Sequence, residues 1–586
     1  MKNQASNQAS NHPRPKAASF HPSNALLQPW GRPVLLILFV GLMVRSIIAF
    51  KLPPGYDEAY YYLYTQNPAW SFFDHPPMVA LTTALGLWIS GDQVSQLTIR
   101  VGTLLTHTAT LAVLYLAAVR LFGENIGRLT LLLASIVPIF LVAFGTLTLP
   151  DGPLMFFWVV VLWGSAEEFF GAWDGTELPS IRDRLSDRST DRPNDHLVYR
   201  PSYRLAILGF FVGLAFTSKY HGAILGAGLV GFCLTAPPFR RALWSPWLAL
   251  GLVAFMVAIA PVMLWNANHD WISFTFQAGR SVPATSYNLL RLLEVIGIQC
   301  LYLFPTIGVP LLWVSARDLL QQIRSPFIRR LRPNQPEIIL KKRLVLWLSA
   351  PVFLTFTLIG GYRQVLPTWT MPGWFVATIL LAIAVDRWQQ KAPKIIHRWL
   401  IGTSLSIPII LALTLFHISD GIAQKPSQNA LLGGLIPASQ DPSIQLLDVV
   451  QLRNRFSQNP ALMRALKRSD FAFSNRFHLA GHFAMAIDPL FPIPMTCFDA
   501  RDMRGFGYWS KATDWVGKTG LYLTTDEFQT PPEDSAKTFL PYFKQFEKVG
   551  DVALTRGGIT VNRIHIYLGK TLIKPYPRPA QSSLGA

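Results

Sequence analysis

Long hydrophobic runs separated by short polar segments dominate the first 420 residues of the chain. A bilayer core of about 30 Å is crossed by about 20 apolar residues in a helix, at about 1.5 Å each. Runs near that length predict about eleven transmembrane helices, and a shorter apolar stretch at 78–90 predicts a helix at the membrane interface. The predicted spans lie at about residues 34–51, 98–118, 129–147, 153–170, 204–217, 222–236, 244–264, 294–316, 344–361, 372–386 and 398–418.

The two ends of the chain have other patterns. Residues 1–33 are rich in Asn, Ser and Pro and predict a disordered cytoplasmic tail. Residues 419–586 have mixed polarity with Pro and Gly breaks, and apolar residues alternate with polar ones at 520–525 and 562–569. Such alternation is typical of half-buried strands. The predicted fold is therefore an all-α multi-span membrane core over 34–418, followed by a C-terminal α/β domain over 419–586.

Composition narrows the class of protein. Of the 586 residues, 51% are hydrophobic and 15% are charged, and the formal net charge is +19. A soluble nucleic-acid-binding protein can be this basic, but it cannot bury so many apolar runs of this length, so nucleic acid is not an expected partner. The lysines and arginines concentrate in one set of loops, above all at 317–343. Because cytoplasmic loops keep Lys and Arg, the N-terminus is predicted inside and the C-terminal domain outside the cytoplasm.

Acidic residues and one lysine mark the opposite set of loops. Asp57 and Glu58 follow the first predicted span, Asp151 lies between two spans, and Lys219 lies in a short outward turn. A carboxylate at the centre of a membrane helix costs about 2.5–3.5 kcal/mol, so these acids are expected to face a polar cavity. The alternative for Asp57 and Asp151 is a helix cap. Lys219 either binds an anion or extends its ammonium to the interface.

Histidines on the same side raise the question of a metal. His75, His221 and His269, together with Asp74, could bind a divalent ion, because imidazole and carboxylate suit Zn or Mn. Their separation along the chain gives no local ligand spacing. Interfacial histidines that are hydrogen-bonded to the backbone are the preferred interpretation, and a cofactor remains undetermined from the sequence.

Five outward motifs occur in order along residues 34–390: GYDEAYYYLYTQNPAWSFFDHPP, TLPDGPLMFFW, SKYHG, LWNANHDWISFTFQ and LPTWTMPGW. Together they resemble the bacterial family-39-type glycosyltransferases. That family is related to the dolichyl-phosphate-mannose protein mannosyltransferases and to the aminoarabinose transferases that modify lipid A. The resemblance implies a GT-C fold and a lipid-linked sugar donor that is used outside the cytoplasm. The C-terminal domain matches only loosely, mainly through CFDARDMRGFGYW at 497–509.

The resemblance also implies roles for particular residues. Asp57 matches the family's catalytic acidic position and is the candidate general base, because an alcohol needs one to attack at neutral pH. Asp151 resembles a second acidic position, and Glu58 lies beside the proposed base, where two carboxylates in one cavity would raise each other's pKa. Positive charge must stabilise the departing phosphate. The expected substrate-binding residues are Lys219, Tyr220, His75, Arg280 and Arg363.

The function predicted is an integral membrane glycosyltransferase, a hexosyl- or pentosyltransferase. It would move a sugar from a polyprenyl-phosphate donor to a hydroxyl of a glycan, lipid or protein, with inversion as the family implies. The expected location is the plasma membrane, with the site facing the periplasm or exterior. A transporter or flippase of lipid-linked sugars is the alternative, since intramembrane acids also mark transport paths. Common transporter folds have internal repeats, and the sequence shows none.

Overall fold

The structure, a computed structural model, describes residues 30–171, 199–279, 286–328, 336–528 and 535–579. Residues 1–29 of the predicted N-terminal tail lie outside the described residues. Helices follow one another from Arg32 to Asp420. They are α1 Arg32–Lys51, α2 Tyr56–Gln66, α3 Met78–Ile89, α4 Val101–Phe122, α5 Glu124–Ile136, α6 Asp151–Phe170, α7 Arg204–Ser218, α8 Gly222–Thr235, α9 Pro246–Ala267, α10 Ile272–Gly279, α11 Leu289–Tyr302, α12 Pro305–Ile328, α13 Pro336–Trp347, α14 Ala350–Ile359, α15 Met371–Lys391 and α16 Pro393–Asp420.

Six of these helices, within the described ranges, are long and apolar enough to cross a bilayer: α1, α4, α6, α9, α15 and α16. The pair α13 and α14 is bent by 41° and adds a seventh span if it crosses as one unit. The molecule is therefore a membrane protein. The count of about eleven spans is not confirmed, because several hydrophobic runs form shorter or broken helices.

The broken runs have local causes. The run at 294–316 is divided between α11 and α12 at Phe304, whose φ of 67° no helix accommodates. The run at 129–147 ends as a helix at Ile136, two residues before Pro138, and continues as a π-helical turn at Phe140–Phe144. The runs at 204–217 and 222–236 become helices of 15 and 14 residues, which are short for a perpendicular crossing.

Helix α15 occupies the centre of the membrane core. Its residues are buried continuously from Met371 to Val385, and it packs against α4, α5, α6 and α12. A helix that is apolar on all sides is typical of a membrane span or of the core of a large protein. Helices α1, α9 and α16 lie at the periphery and expose leucines, isoleucines and phenylalanines.

The loops predicted to face outward meet at one end of the core. The backbone N–H of Thr148 donates to Glu58 of α2, and the ammonium of Lys219 donates to Asp151, the first residue of α6. The backbone N–H of Asn288 donates to the carbonyl of Gly361 at 2.8 Å. At the other end, loops predicted to be cytoplasmic contact one another. There, Nδ2 of Asn125 donates a hydrogen bond to Oδ1 of Asp386 at 2.5 Å. The membrane core therefore has two distinct polar ends, and the candidate residues lie at one of them.

After α16 the chain forms a mixed five-stranded sheet. Helix α16 ends at Gly421, which takes the left-handed conformation (φ 76°) that glycine adopts without strain. Strand order is β4 (Met495–Cys497), β3 (Phe471–Ser474), β5 (Gly520–Thr525), β7 (Ile559–Leu572) and β6 (Phe543–Arg556), with β4, β3 and β5 parallel and the last two pairs antiparallel. Both stretches predicted as strands lie in strands. The elements are β1 Gln424–Lys425, β2 Ile436–Pro437, α17 Val449–Ser457, α18 Pro460–Lys467, β3 Phe471–Ser474, α19 Phe477–Ile487, β4 Met495–Cys497, α20 Phe506–Trp509, β5 Gly520–Thr525, α21 Ser535–Phe539, β6 Phe543–Arg556 and β7 Ile559–Leu572.

This C-terminal domain packs directly on α2 and shares one hydrophobic core with it. Helix α19 approaches α2 so closely that a Cβ at Gly481 would lie 2.4 Å from the backbone of Ala59. His482 Nε2 lies 3.0 Å from the carbonyl oxygen of Pro54, and the Tyr62 hydroxyl donates to Asp488 at 3.1 Å. Helix α2 is thus enclosed between the membrane helices and the C-terminal domain.

Candidate active site

Glu58 is the most heavily bonded acid at this end of the core. Its side chain is 1% exposed, and Oε2 accepts from the backbone N–H of Gly55 at 2.9 Å, which caps α2. Arg100 forms a bidentate ion pair with it at 2.6 and 2.7 Å, and Thr148 N–H donates to Oε1 at 2.9 Å. Arg100 in turn donates to backbone carbonyls of residues 49, 52 and 53. Glu58 therefore ties together the end of α1 and the starts of α2, α4 and α6.

Asp57 precedes Glu58 on α2 and has different surroundings. Successive helical residues point about 100° apart, so Asp57 is exposed at the outer end while Glu58 lies in the interior. The two carboxylates therefore do not occupy the one cavity that the sequence suggested. Burial raises the pKa of Tyr61, and the nearby carboxylates of Asp57 and Asp74 raise it further. Asp57 thus lies on the face of α2 that carries Tyr61.

The buried Glu58–Arg100 pair gives a stability prediction. Glu58→Gln leaves the Arg100 guanidinium, which is 0% exposed, without its carboxylate. Removal of one partner from a buried pair costs about 3–5 kcal/mol, so a large fall in the unfolding midpoint in detergent is expected. The matched control is Glu124→Gln, which breaks an exposed pair with Arg128 and should cost less than about 1 kcal/mol. Equal effects of the two changes would contradict the structural role of Glu58.

Asp151 and Lys219 form a second buried ion pair. Asp151 begins α6, Lys219 directly follows α7, and the Lys219 ammonium lies 2.8 and 3.0 Å from the two carboxylate oxygens. The side chains are 7% and 8% exposed. The sequence placed both residues outside without indicating that they touch. The structure brings them together across 68 positions of the chain.

Asp74 and His75 connect this pair to α2. Asp74 is 1% exposed and accepts from the hydroxyl of Tyr64. The His75 ring lies 5.6 Å from the ring of Tyr61. On the other side, burial lowers the pKa of His221, and the nearby positive charge of Lys219 and the ring of His75 lower it further. The order across the site is therefore α2, then the 74–75 segment, then the turn that carries Lys219.

The remaining predicted residues take varied positions. Tyr220 packs against Phe274 at 5.1 Å. Burial raises the pKa of Tyr220 to about 12, and the nearby carboxylate of Asp74 adds a smaller increase. Arg363 donates from Nη1 to the carbonyl of Gly279 at 3.2 Å. Arg280 lies outside the described residues. Tyr220 therefore lines the site, and Arg363 lies beside the end of α10.

The histidines do not assemble into a cluster. The ring of His269 stacks on Trp265 at 3.9 Å, and its Nδ1 lies 2.7 Å from the carbonyl of that residue. Within the described ranges, no group of three or more His, Cys, Asp or Glu side chains is placed to hold a metal ion. His269 accordingly has the backbone-bonded role that the sequence analysis preferred for these histidines.

Sequence reasoning missed two arginines that contact acids of the site but lie far from those acids along the chain. Arg100 lies at the border of the predicted span at 98–118, where hydropathy gives no sign of a partner, and its pairing with Glu58 spans 42 positions. Arg504 of the C-terminal domain pairs with Asp74 at 3.1 Å across 430 positions. The one available signal for Arg504 was the motif at 497–509, which resembles the family only loosely.

A family profile described as dolichyl-phosphate-mannose-protein mannosyltransferase matches residues 74–167 and 198–265. The matched ranges contain Asp74, Asp151 and Lys219 and exclude Asp57. A curated relative, the lipid A galacturonosyltransferase RgtD of Rhizobium johnstonii, is 26% identical over 328 residues. That alignment covers 55% of this chain and 59% of the relative, which is less than two thirds of its length.

Two solved structures share the fold. They are the crystal structures of ArnT from Cupriavidus metallidurans, one in the apo state and one bound to undecaprenyl phosphate. Each has a TM-score of 0.56 and covers 91% of this chain and 97% of its own, at 15% and 16% identity respectively. At such identities the similarity establishes the fold alone.

Proposed function

We propose that this chain, which resembles the PMT-like glycosyltransferases of the GT-C class, transfers a sugar from a polyprenyl-phosphate donor to an acceptor hydroxyl. The reaction takes place on the extracytoplasmic side of the inner membrane and inverts the anomeric centre. The observation that carries this proposal is the buried Asp151–Lys219 pair, at the membrane end where Asp57 is exposed. A fixed cation and an accessible carboxylate are the two groups that such a displacement requires.

In this mechanism Asp57 is the general base. The acceptor hydroxyl is a weak nucleophile at neutral pH, and an aspartate within hydrogen-bond reach takes its proton as the oxygen attacks the anomeric carbon. Asp57 suits this role because it lies at the open end of α2, next to Tyr61 and on the side of the 74–75 segment. Glu58 cannot easily reach a substrate, since both of its oxygens already accept hydrogen bonds. Its role in the proposal is to position α2.

Lys219 stabilises the leaving phosphate. Cleavage of the bond between the sugar and the phosphate leaves negative charge on oxygen, and a cation in a site shielded from water stabilises that charge by several kcal/mol. Asp151 holds the Lys219 ammonium in place. Tyr220 and His75 line the region between Lys219 and α2, where the sugar would lie, and Arg280 and Arg363 are proposed as further phosphate contacts. ArnT bound to undecaprenyl phosphate supports a carrier lipid of this type for the shared fold.

The test uses membranes from cells that lack the gene, because such membranes keep both the native donor and the unmodified acceptor. Purified protein is added in detergent or nanodiscs, and envelope lipids and proteins are analysed by mass spectrometry. A mass increase of one hexose, pentose or related sugar on a defined acceptor is expected with the wild type and absent with Asp57→Asn. Translocation of a lipid-linked sugar without any new glycosidic bond would instead identify a flippase and overturn the proposal.

A further inference from the structure

One loop of the C-terminal domain reaches the candidate active site. The site loop, residues 498–509, follows β4 and includes the short helix α20. Within it, Asp502 accepts from the backbone N–H of Arg504 at 3.2 Å and from its Nε at 3.1 Å. The backbone of Arg504 takes a positive φ of 47° in this turn. The loop thus presents one guanidinium group in a fixed orientation.

That guanidinium contacts the segment at the centre of the site. Nη1 of Arg504 lies 3.1 Å from Oδ2 of Asp74, whose side chain is 1% exposed. The group is also placed between two aromatic rings, with its central carbon 4.5 Å from the centroid of Phe477 and 5.2 Å from that of Phe276. Next to it, the backbone N–H of Gly505 donates to the Tyr60 hydroxyl at 2.8 Å.

The far side of the site loop contacts the membrane helices. The ring of Tyr508 stacks on Phe73 at 5.5 Å and lies 6.2 Å from Trp265 and 6.0 Å from His269. From the end of the C-terminal domain, Arg578 donates to the carbonyl of Gly507 at 2.7 Å. The loop therefore contacts α2 on one side and the turn between α9 and α10 on the other. The hydrogen bond from Arg578 fixes it to the end of the C-terminal domain.

We propose that the site loop forms one wall of the transfer site and that Arg504 is a positioning residue for transfer. This inference rests on the proposed function. Arg504 neutralises Asp74 and fixes it against α2, and Asp74 is followed directly by His75, whose ring faces Tyr61. The C-terminal domain is then a required component of the active site rather than an accessory attached to it.

The physical reason lies in the burial of Asp74. The carboxylate is enclosed with the hydroxyls of Tyr60 and Tyr64 and with one cation, Arg504. Without that cation, a buried carboxylate must bind a proton or move toward water, because an isolated charge in a low-dielectric interior is strongly unfavourable. Either change shifts the 74–75 segment relative to Lys219. A displacement of about 1 Å in a positioned group can lower a rate about a hundredfold.

A double-mutant cycle tests the assignment, with kcat and KM measured for Asp74→Asn, Arg504→Gln and the double variant. Each single change should lower kcat at least tenfold. The double variant should be no slower than the slower single variant, because loss of the second partner has no further effect once the contact between the two residues is broken. Arg504→Lys, which keeps the charge, should recover part of the lost kcat. Arg468→Gln, a change at an exposed arginine that follows α18, is the matched control and should leave kcat unchanged.

Three outcomes would overturn the assignment. They are an undiminished kcat in Arg504→Gln, losses that multiply in the double variant, and a fall in activity no greater than the fraction of protein that unfolds at the assay temperature. A wild-type protein that shows no transfer would instead overturn the proposed function itself. The wild-type measurement therefore separates failure of the function from failure of the Arg504 assignment.

Discussion

Replacement of Asp57 by asparagine is expected to lower the rate of sugar transfer by about two to four orders of magnitude, with little change in stability. A positioned general base contributes a factor of about 10²–10⁴. Asparagine has almost the same shape but cannot accept a proton. Because Asp57 is exposed, the change leaves no buried charge without its partner. The measurement is the initial rate at saturating donor and acceptor, together with the unfolding midpoint.

The control for Asp57 is Asp92→Asn. Asp92 is another exposed aspartate at the same end of the molecule, in the loop between α3 and α4, beside a cavity of about 980 Å³. That cavity also contacts Tyr62, on the side of α2 away from Tyr61, so Asp92 should have no part in transfer. Its φ of 57° suits asparagine as well as aspartate. A wild-type rate in Asp57→Asn would exclude Asp57 as the base.

Lys219→Met should have two separable effects. It removes the cation proposed to stabilise the leaving phosphate, which should cost about 10²–10³ in kcat. It also leaves the Asp151 carboxylate buried and unpaired, which should destabilise the protein by about 3–5 kcal/mol. The double variant Asp151→Asn with Lys219→Met removes both charges, so stability should largely recover while transfer does not.

Measurement of unfolding midpoints and transfer rates on the same preparations distinguishes these effects. Lys51→Met is the control, because Lys51 forms an exposed 3.8 Å pair with Asp420 at the same end of the core and should cost less than about 1 kcal/mol. A double variant with the wild-type rate would show that Lys219 only neutralises Asp151. A double variant as unstable as the single one would show that charge pairing is not what Lys219 contributes to folding.

The sequence predicted which loops lie together at one end of the molecule, because hydrophobic runs and the distribution of Lys and Arg are strong local signals. It could not predict the number of spans. The run at 294–316 reads as continuous by hydropathy, and only the backbone shows the break at Phe304. In the same way, the run at 344–361 conceals the bend between α13 and α14.

Pairings between distant residues were beyond sequence reasoning for a different reason. Asp57 and Glu58 look equivalent as neighbours in sequence, and only the partners of Glu58, at positions 100 and 148, reveal that it faces the interior. Asp151 and Lys219 were both selected, but their contact depends on how α6 and α7 pack. The role of Arg504 depends on where an entire domain docks, and no periodicity in the chain encodes that.

The Glu58–Arg100 contact has a consequence for how a lipid reaches the site. Four segments are tied there by buried, charge-assisted hydrogen bonds, so a hydrocarbon tail cannot pass between them without separating opposite charges inside the protein. If the substrate is carried on a polyprenyl chain, the chain must approach along another flank. Helix α11 exposes Leu289, Leu290 and Leu293 toward the surroundings and offers such a flank. The half of the site that contains the proposed base would then stay rigid, while the half that faces the lipid would adapt to the polyprenyl tail.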